Sequence, residues 1–171
     1  MEECLAIKPD LIFLWDEAWF GFARFSPFLR PRTAMGAANE LEACLREPQA
    51  LTNYEKQRSE LGADPSDDAL LNTRLVPDPR QVRLRVYQTN STHKSMSAPR
   101  QGSMLLVKDV DFHTVEAQFH EAVFTHASTS PNQQLIASLD VARRQMERDL
   151  ASSQTRSKSL SPFVRRSRAI R

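Results

Sequence analysis

The 171 residues are 40% hydrophobic and 26% charged, the composition of an ordinary globular protein with one domain, or with one domain and a tail. Six of the 23 basic residues lie between Thr155 and Arg171, so the rest of the chain holds 17 basic and 21 acidic residues and is mildly acidic. That balance argues against a main domain that binds nucleic acid.

Cysteine usage and apolar runs indicate the compartment. Cys4 and Cys44 are too few for a disulfide framework and fit a reducing environment. The first residues include acids where a secretory signal would be basic, and no apolar run approaches the ~20 residues that a membrane helix needs. We therefore expect a soluble, cytoplasmic protein without a membrane segment.

One strand and up to three helices are expected in the first half of the chain. The continuous apolar run Leu11–Trp15 predicts a short strand buried on both faces, as in a parallel sheet. Apolar residues repeat at helical spacing in Ala34–Arg46, and Pro48 follows the end of that helix. After it we expect a short helix or a mobile surface segment at Glu55–Leu61, a turn at Gly62–Asp68, and one or two helical turns at Ala69–Leu75.

Two strands and two longer helices are predicted in the second half. Apolar and polar residues alternate in Gln81–Tyr87, which is typical of a strand, and Met104–Val107 is another short apolar run. Helical spacing predicts helices at Phe112–Phe124 and Asn132–Leu150. Strands that alternate with helices predict an α/β sheet. The apolar face expected on the first of these helices consists of Val115, Phe119, Val123 and Phe124.

The end of the chain has a different composition. We divide the sequence into a domain at residues 1–150 and a basic, Ser/Arg-rich tail at residues 151–171. The tail lacks apolar periodicity and is expected to be disordered. A basic tail can bind nucleic acid, but a solvated end without a role is the simpler interpretation.

Polar residues follow the predicted strands at the places where an α/β sheet presents ligands. Asp16 follows the first strand, Ser91–Lys94 follows the second, and His126–Ser130 lies between two helices. Open α/β sheets bind ligands beyond the carboxyl ends of their strands. The first two groups are therefore expected to share one crevice.

These residue types fit the chemistry of pyridoxal phosphate. The aldehyde of this cofactor needs a lysine amine, its pyridine nitrogen needs a carboxylate, and its phosphate needs hydroxyl and backbone N–H donors. Lys94, Asp16 and Ser91 supply these three groups by type. Their spacing alone is weakly specific, because a Ser-x-His-Lys tetrapeptide occurs by chance in many proteins.

Three blocks of sequence, DEAWFGFARFSPF, VYQTNSTHKSMSAPRQGSML and FHEAVFTHASTSPNQQLIASLD, together resemble the major domain of the ornithine/lysine/arginine decarboxylases. The likeness runs from Pro9 to Glu147, and Ser91–Lys94 with Gln101 and Ser103 is similar to the cofactor-attachment signature of that family. The resemblance implies part of a fold type I, aspartate-aminotransferase-like large domain, with a mostly parallel sheet and flanking helices. Family members are several times longer, so the chain resembles a fragment.

The resemblance also implies the residues of a cofactor site. Lys94 would form the imine with pyridoxal 5'-phosphate and later move protons at the alpha carbon of the substrate. Asp16 would pair with the pyridine nitrogen, and Ala18 and Trp19 would line the pocket. Ser91 would bind the phosphate group.

Two further residues take part in the site that the resemblance implies. His93 would lie against the cofactor and assist protonation after carbon dioxide leaves. Ser128 would reach the phosphate of the neighbouring subunit. Family members are dimers or assemblies of dimers, so the implied partner is a second copy or an intact subunit. No metal and no nucleic acid are expected.

The function that the resemblance implies is decarboxylation of ornithine, lysine or arginine to the corresponding polyamine-type amine. The isolated chain is expected to be inactive, because it lacks parts of the site that family members supply from elsewhere in their sequence. The alternative is a non-catalytic, truncated remnant that pairs with an intact subunit.

Each of these site residues also has a purely structural interpretation. Asp16 could cap a helix, Trp19 could pack in a core or interface, His93 could be a structural histidine, and His126–Ser130 could cap the following helix.

Two residues of the segment after Lys94, Pro99 and Gly102, bear on the backbone conformation there. Gly102 stands where the family usually has another small residue. Pro99 would cost ~3 kcal/mol if the segment after Lys94 were helical beyond its first turn.

Overall fold

The computed structural model describes residues 1–159 except Ser97, Arg100 and Gln101, and it describes only the backbone from residue 149 onward. Residues 160–171, most of the predicted tail, lie outside the described part. The α-helices of this part are Glu2–Ile7 (α1), Ala34–Arg46 (α2), Pro48–Leu61 (α3), Asp67–Asn72 (α4), Thr92–Ser95 (α5), Phe112–His126 (α6) and Gln133–Ser159 (α7). The strands are Ile12–Asp16 (β1), Arg85–Ser91 (β2) and Ser103–Asp109 (β3), and two 3₁₀ turns lie at Gly21–Phe25 and Arg30–Arg32.

The three strands form one mixed sheet in the order β1-β2-β3. β1 and β2 are parallel, and their register pairs Asp16 with Thr89. β2 and β3 are antiparallel, and their register pairs Ser91 with Ser103. The α/β class is confirmed, but the expected predominance of parallel pairing is not seen among the described strands.

The prediction that the first strand is buried on both faces is wrong. β1 lies at the edge of the sheet, where Leu14 is 73% exposed and Ile12 is 55% exposed. In the described part β1 pairs with β2 alone. The helix α2 packs on the face of the sheet opposite to Ile12 and Leu14. One face of the apolar run, with Ile12 and Leu14, therefore meets solvent instead of a second layer of helices, while Leu11 and Phe13 pack against the core.

The central strand, β2, begins and ends four residues later than the apolar alternation predicts. Its burial alternates strictly, and the buried positions are Val86, Gln88 and Asn90. The period-2 pattern thus continues past Tyr87, but two buried amides carry it there in place of apolar side chains. An apolar pattern alone cannot show that continuation.

A small core lies between α1, α2 and the covered face of the sheet. Its buried members are Leu5, Ala34, Ala38, Leu84 and Val86. The helix α2 has the bounds that the sequence predicts, and its N-cap Thr33 accepts a hydrogen bond from the Gly36 N–H. The position of α2 matters for the site, because its N-terminus points at the ends of β1 and β2.

The connecting helices differ in their bounds from the predicted ones, since α3 begins at Pro48 instead of Glu55 and α4 is Asp67–Asn72 instead of Ala69–Leu75. Glu47 ends α2 and begins α3, and Pro48 occupies the first turn of α3, where its missing N–H costs nothing. The alternative of a mobile segment at residues 55–61 is therefore wrong. Ser66 caps α4 through the Ala69 N–H, so the predicted turn ends before Asp67.

The helix α6 is present as predicted, but most of its expected apolar face is open. Phe119 stacks near Tyr87 of β2, with the ring centroids 6.2 Å apart. Val115, Val123 and Phe124 are exposed. The helix α7 includes residues 151–159, so the proposed domain boundary near residue 150 stays a prediction. No helix of the described part has the length and apolar character needed to cross a membrane.

Candidate functional site

The parallel pairing of β1 and β2 places the residues that follow both strands at the same edge of the sheet. The Glu17 N–H donates to the Thr89 carbonyl at 2.9 Å, and the Ser91 N–H donates to the Ala18 carbonyl at 3.3 Å. The turn that carries Asp16, Ala18 and Trp19 is thereby attached to the end of β2. The shared crevice predicted from the sequence corresponds to this edge.

Lys94 lies on α5, the single helical turn that follows β2 directly. Its ammonium nitrogen is 5.6 Å from the centroid of the Trp19 ring, within the range of a cation–π contact. Both side chains are exposed, and Trp19 is 68% exposed. The structure thus brings Lys94 beside Trp19, which the resemblance places in the pocket, and Trp19 is not buried in a core.

Asp16 is exposed at the end of β1, and its Oδ1 accepts a hydrogen bond from the Ala18 N–H at 3.0 Å. Glu17, Ala18 and Trp19 form a turn, and the following 3₁₀ turn starts only at Gly21. The interpretation of Asp16 as a helix cap is therefore wrong. Its Oδ2 makes no hydrogen bond within the described residues.

Ser91 and His93 frame the start of α5. By strand alternation Ser91 lies on the same face of the sheet as Asp16 and Thr89, and its side chain makes no capping bond to α5. His93 is half-buried, and its Nδ1 is 3.0 Å from the Gly102 carbonyl. That contact favours the tautomer with the proton on Nδ1, since a carbonyl accepts only, and it leaves Nε2 as the acceptor nitrogen. The structural role considered for His93 is thus compatible with a place beside a ligand.

Ser128 lies in the exposed loop between α6 and α7. Its hydroxyl accepts a hydrogen bond from the Ser130 N–H at 3.2 Å. Asn132 caps the next helix by accepting from the Gln134 and Leu135 N–H groups, so the capping role considered for the preceding loop belongs to Asn132. A contact of Ser128 with a second subunit stays a prediction.

The backbone after Lys94 avoids the cost considered for Pro99. The helix α5 ends at Ser95, and Met96 is extended, so Pro99 lies outside the helix. Gly102 has a steric reason to be glycine, because a Cβ there would lie 2.6 Å from Thr92 Oγ1 and 3.1 Å from Leu139 Cδ2. The junction between α5 and β3 is therefore tightly packed.

Sequence reasoning missed the buried polar residues around the site. Glu17, Gln88, Asn90 and Thr92 are all buried, and the hydroxyls of Thr92 and Ser95 have no hydrogen-bond partner within the described residues. Burial raises the pKa of the Glu17 carboxyl, and a hydrogen bond from the Ala34 N–H opposes that rise. No motif marks these residues, although the period-2 pattern, continued past Tyr87, points to Gln88 and Asn90.

A cavity of about 600 Å³ lies on the other face of the sheet from Asp16 and Ser91. Side chains of the 3₁₀ turn at Gly21–Phe25, of β2, β3 and of α7 line it. Arg143, Asp140 and Glu147 are among the lining residues. Arg143 forms ion pairs with both carboxylates and so offsets part of their negative charge. None of the predicted site residues lines this cavity. Within the described part no group of three or more His, Cys, Asp or Glu residues could hold a metal ion.

Comparison with known proteins decides the family. A family model described as "Orn/Lys/Arg decarboxylase, major domain" matches residues 72–167, more than half of the chain. The chain belongs to the Orn/Lys/Arg decarboxylase family. The matched residues include Ser91, His93, Lys94 and Ser128, whereas the Asp16–Trp19 turn precedes them.

Several curated relatives are decarboxylases of basic amino acids. Lysine decarboxylase LdcA of Pseudomonas aeruginosa is 31% identical over 134 residues, which are 78% of this chain and 12% of the relative. The inducible lysine decarboxylase of Escherichia coli K12 is 41% identical over 63 residues, 36% of this chain and 8% of the relative. The biodegradative arginine decarboxylase of Escherichia coli K12 is 28% identical over 133 residues, 78% of this chain and 12% of the relative. The chain thus spans about an eighth or less of the relatives it matches, and no solved structure matches it.

Proposed function

We propose that this chain carries the lysine-bearing part of a pyridoxal-phosphate site, and that the complete site decarboxylates a basic amino acid. The observation that supports this most is the contact of Lys94 with Trp19, at the edge where Asp16 also lies. By this proposal the mixed sheet is part of a fold type I large domain, with a boundary near residue 150 and a tail beyond it. The complete protein then acts on ornithine, lysine or arginine.

The residues present fit the cofactor by type and placement. When bound, pyridoxal phosphate supplies the electron withdrawal that weakens the bond to the leaving carboxylate. Lys94 offers an exposed amine on a turn held between β2 and β3, and Trp19 shields one side of it. Asp16 keeps Oδ2 available for a protonated ring nitrogen, while its Oδ1 is held by Ala18. Ser91 brings a hydroxyl to the same face of the sheet.

Each residue then has one task in the proposed site. Lys94 would hold the cofactor through its aldehyde carbon and would help to move protons at the alpha carbon of the substrate. Asp16 holds the proton on the pyridine nitrogen. His93, with its Nδ1–H held by the Gly102 carbonyl, would take up a proton on Nε2 and pass it to the alpha carbon after carbon dioxide leaves. Ala18 lines the pocket beside Trp19, and Ser128 binds the phosphate of a neighbouring subunit.

The isolated chain is expected to bind cofactor without turning over substrate. Turnover requires groups that recognise the distal amine or guanidine of the substrate and exclude water. Here Lys94, Asp16 and Trp19 are all exposed at an open edge. Cofactor binding is therefore the appropriate test of this chain, and turnover is a test of the complete protein.

The test mixes the purified chain with pyridoxal phosphate and follows the visible absorption that the aldehyde gains on condensing with an amine. Borohydride then fixes the adduct, and mass spectrometry of peptides locates it. We expect modification of Lys94, and its loss in Lys94→Ala. Lys56→Ala, which removes an exposed lysine of α3, is the matched control and keeps the band. Modification spread over several surface lysines would overturn the proposal.

A second candidate is a truncated subunit that pairs with an intact one. The exposed strand β1 favours it, because among the described strands β1 pairs on one side only, and another strand can bind at its open edge beside Ile12 and Leu14. Copurification with a longer family member, lost in Leu14→Lys, supports pairing. A chain that stays monomeric and alone at all concentrations contradicts both this candidate and the homodimer.

A further inference from the structure

A buried polar network joins the ends of β1 and β2 to the N-terminus of α2. Its side chains are Glu17, Gln88 and Asn90, all at most 9% exposed. The Gln88 amide donates to Asn90 Oδ1 at 2.6 Å, and the Asn90 amide donates to the Glu17 carbonyl at 2.8 Å. Buried hydrogen bonds of this kind fix relative positions, since breaking one leaves a polar group without a partner.

The network also holds the first turn of α2. Glu17 Oε1 accepts from the Ala34 N–H at 2.7 Å, and Gln88 Oε1 accepts from the Met35 N–H at 3.0 Å. Thr33 Oγ1 accepts from the next N–H, that of Gly36. Three N–H groups that a helix N-terminus leaves unpaired thus have side-chain partners, of which Glu17 directly follows β1 and Gln88 lies in the middle of β2.

Glu17 is the residue through which this network reaches the candidate site. Its N–H donates to the Thr89 carbonyl at 2.9 Å, and its own carbonyl accepts from the Phe20 N–H at 2.9 Å as well as from Asn90. The hydrogen bonds that hold the turn from Asp16 to Trp19 in place therefore meet at the backbone of Glu17. Because most of the Trp19 ring is exposed, its position beside Lys94 depends on the backbone of this turn more than on packing of the ring.

We propose that Glu17 is a positioning residue, whose buried carboxylate fastens the Asp16–Trp19 turn to the N-terminus of α2 and so sets where Trp19 and Asp16 stand relative to Lys94. The contacts of this turn with β2 are made by the backbone N–H and carbonyl of Glu17 and do not depend on its side chain. Its importance for catalysis rests on the proposed function, but the positioning itself is a property of the folded chain without cofactor. Glu17 touches none of the proposed cofactor groups and acts through the turn.

A merely structural role makes a different prediction. If Glu17 only stabilised α2, its loss would lower the melting temperature and leave the turn of the folded protein in place. If Glu17 positions the turn, its loss also frees Trp19 to move on the nanosecond timescale while the sheet stays folded. The mobility of the Trp19 ring separates the two roles.

The experiment uses the full chain in a Trp15→Phe background, where Trp19 is the one remaining tryptophan. Time-resolved fluorescence anisotropy is measured for Glu17→Ala, Glu17→Gln and the control Glu40→Gln, which changes an exposed carboxyl on α2. Melting curves show the temperature at which each variant is folded. Among these three variants, we expect a fast anisotropy decay of Trp19 in Glu17→Ala alone. Glu17→Gln should not show it, because glutamine keeps an acceptor for the Ala34 N–H.

Asn90→Ala gives an independent variant, because it removes the bond to the Glu17 carbonyl and leaves the helix contact in place. We expect the same fast decay there. Unchanged Trp19 anisotropy in folded Glu17→Ala and Asn90→Ala would overturn the positioning role. A wild-type chain that forms no adduct at Lys94 would overturn the proposed function and leave the anisotropy result standing, so the two failures are distinguishable.

Discussion

The two faces of the small sheet differ in how completely the chain covers them. On the face toward α2, the β2 residues Val86, Gln88 and Asn90 are buried, and both amides donate and accept hydrogen bonds, although Met104 of β3 on the same face is exposed. On the face toward α6, Leu14 and Leu105 are exposed, and the aromatic contact of Tyr87 with Phe119 is a principal link to the helix. Asp16 and Ser91 lie on this second, open face. Within the described part, the chain therefore covers β2 behind Asp16 and Ser91 and leaves the face that carries these two residues open.

The strongest test of this contrast compares one leucine from each side. Leu84→Ala removes a core side chain that is 3% exposed, and we expect a loss of about 2–5 kcal/mol in unfolding free energy. Leu14→Ala on the open face should change it by no more than about 0.5 kcal/mol. Urea titrations of both variants measure the difference. Similar losses would show that the open face is covered in solution.

A smaller loss of stability is expected from a substitution at the junction of α5 and β3. Gly102→Ala forces a Cβ to within 2.6 Å of Thr92 Oγ1, and overpacking of this kind costs about 1–3 kcal/mol. Gly21→Ala is the matched control, since its Cβ meets Ser95 Oγ at 3.2 Å, and it should cost less. Melting temperatures rank the two variants. Equal stability of both would mean that the α5–β3 junction is looser than its contacts indicate.

The smallest expected effect is a pH dependence from Glu17. Burial raises the pKa of this carboxyl above its ordinary value of 4.5, so the folded chain binds the proton more tightly than the unfolded chain. The stability linked to this group is present below pH 4.5 and is lost as pH rises through the raised pKa. Subtracting the stability of Glu17→Gln from that of the wild type at each pH should give a difference that falls with pH. A rising difference would contradict the assigned burial.

Local patterns in the sequence predicted α2, α6 and the start of α7 well, but they did not predict α1 or α5. The spacing of apolar residues gave the bounds of α2, and Pro48 marked its end, although the same proline also begins α3. Strand burial was predicted less well, because an apolar run such as Leu11–Trp15 shows which side chains avoid water but not whether the chain supplies a cover for them. The C-terminal end of β2 was not predicted for a related reason, because its last buried residues, Gln88 and Asn90, carry amides instead of apolar side chains.

For the candidate site, too, some features were predictable from the sequence and others were not. The order of strands and polar residues was enough to expect Asp16 and Lys94 at one edge, since parallel strands end on the same side. The contact of Trp19 with Lys94 and the network through Glu17 depend on turns and long-range hydrogen bonds that no short motif specifies. Family likeness predicted Lys94 and its neighbours as site residues, which stays a prediction, while Glu17 became visible only through its burial and its hydrogen bonds.

The most direct test of the account is the location of the borohydride-fixed pyridoxal-phosphate adduct in the purified chain. We predict modification at Lys94, absence of the visible band in Lys94→Ala, and a normal band in Lys56→Ala. A wild-type chain that forms no band, or a band that persists unchanged in Lys94→Ala, would contradict the account.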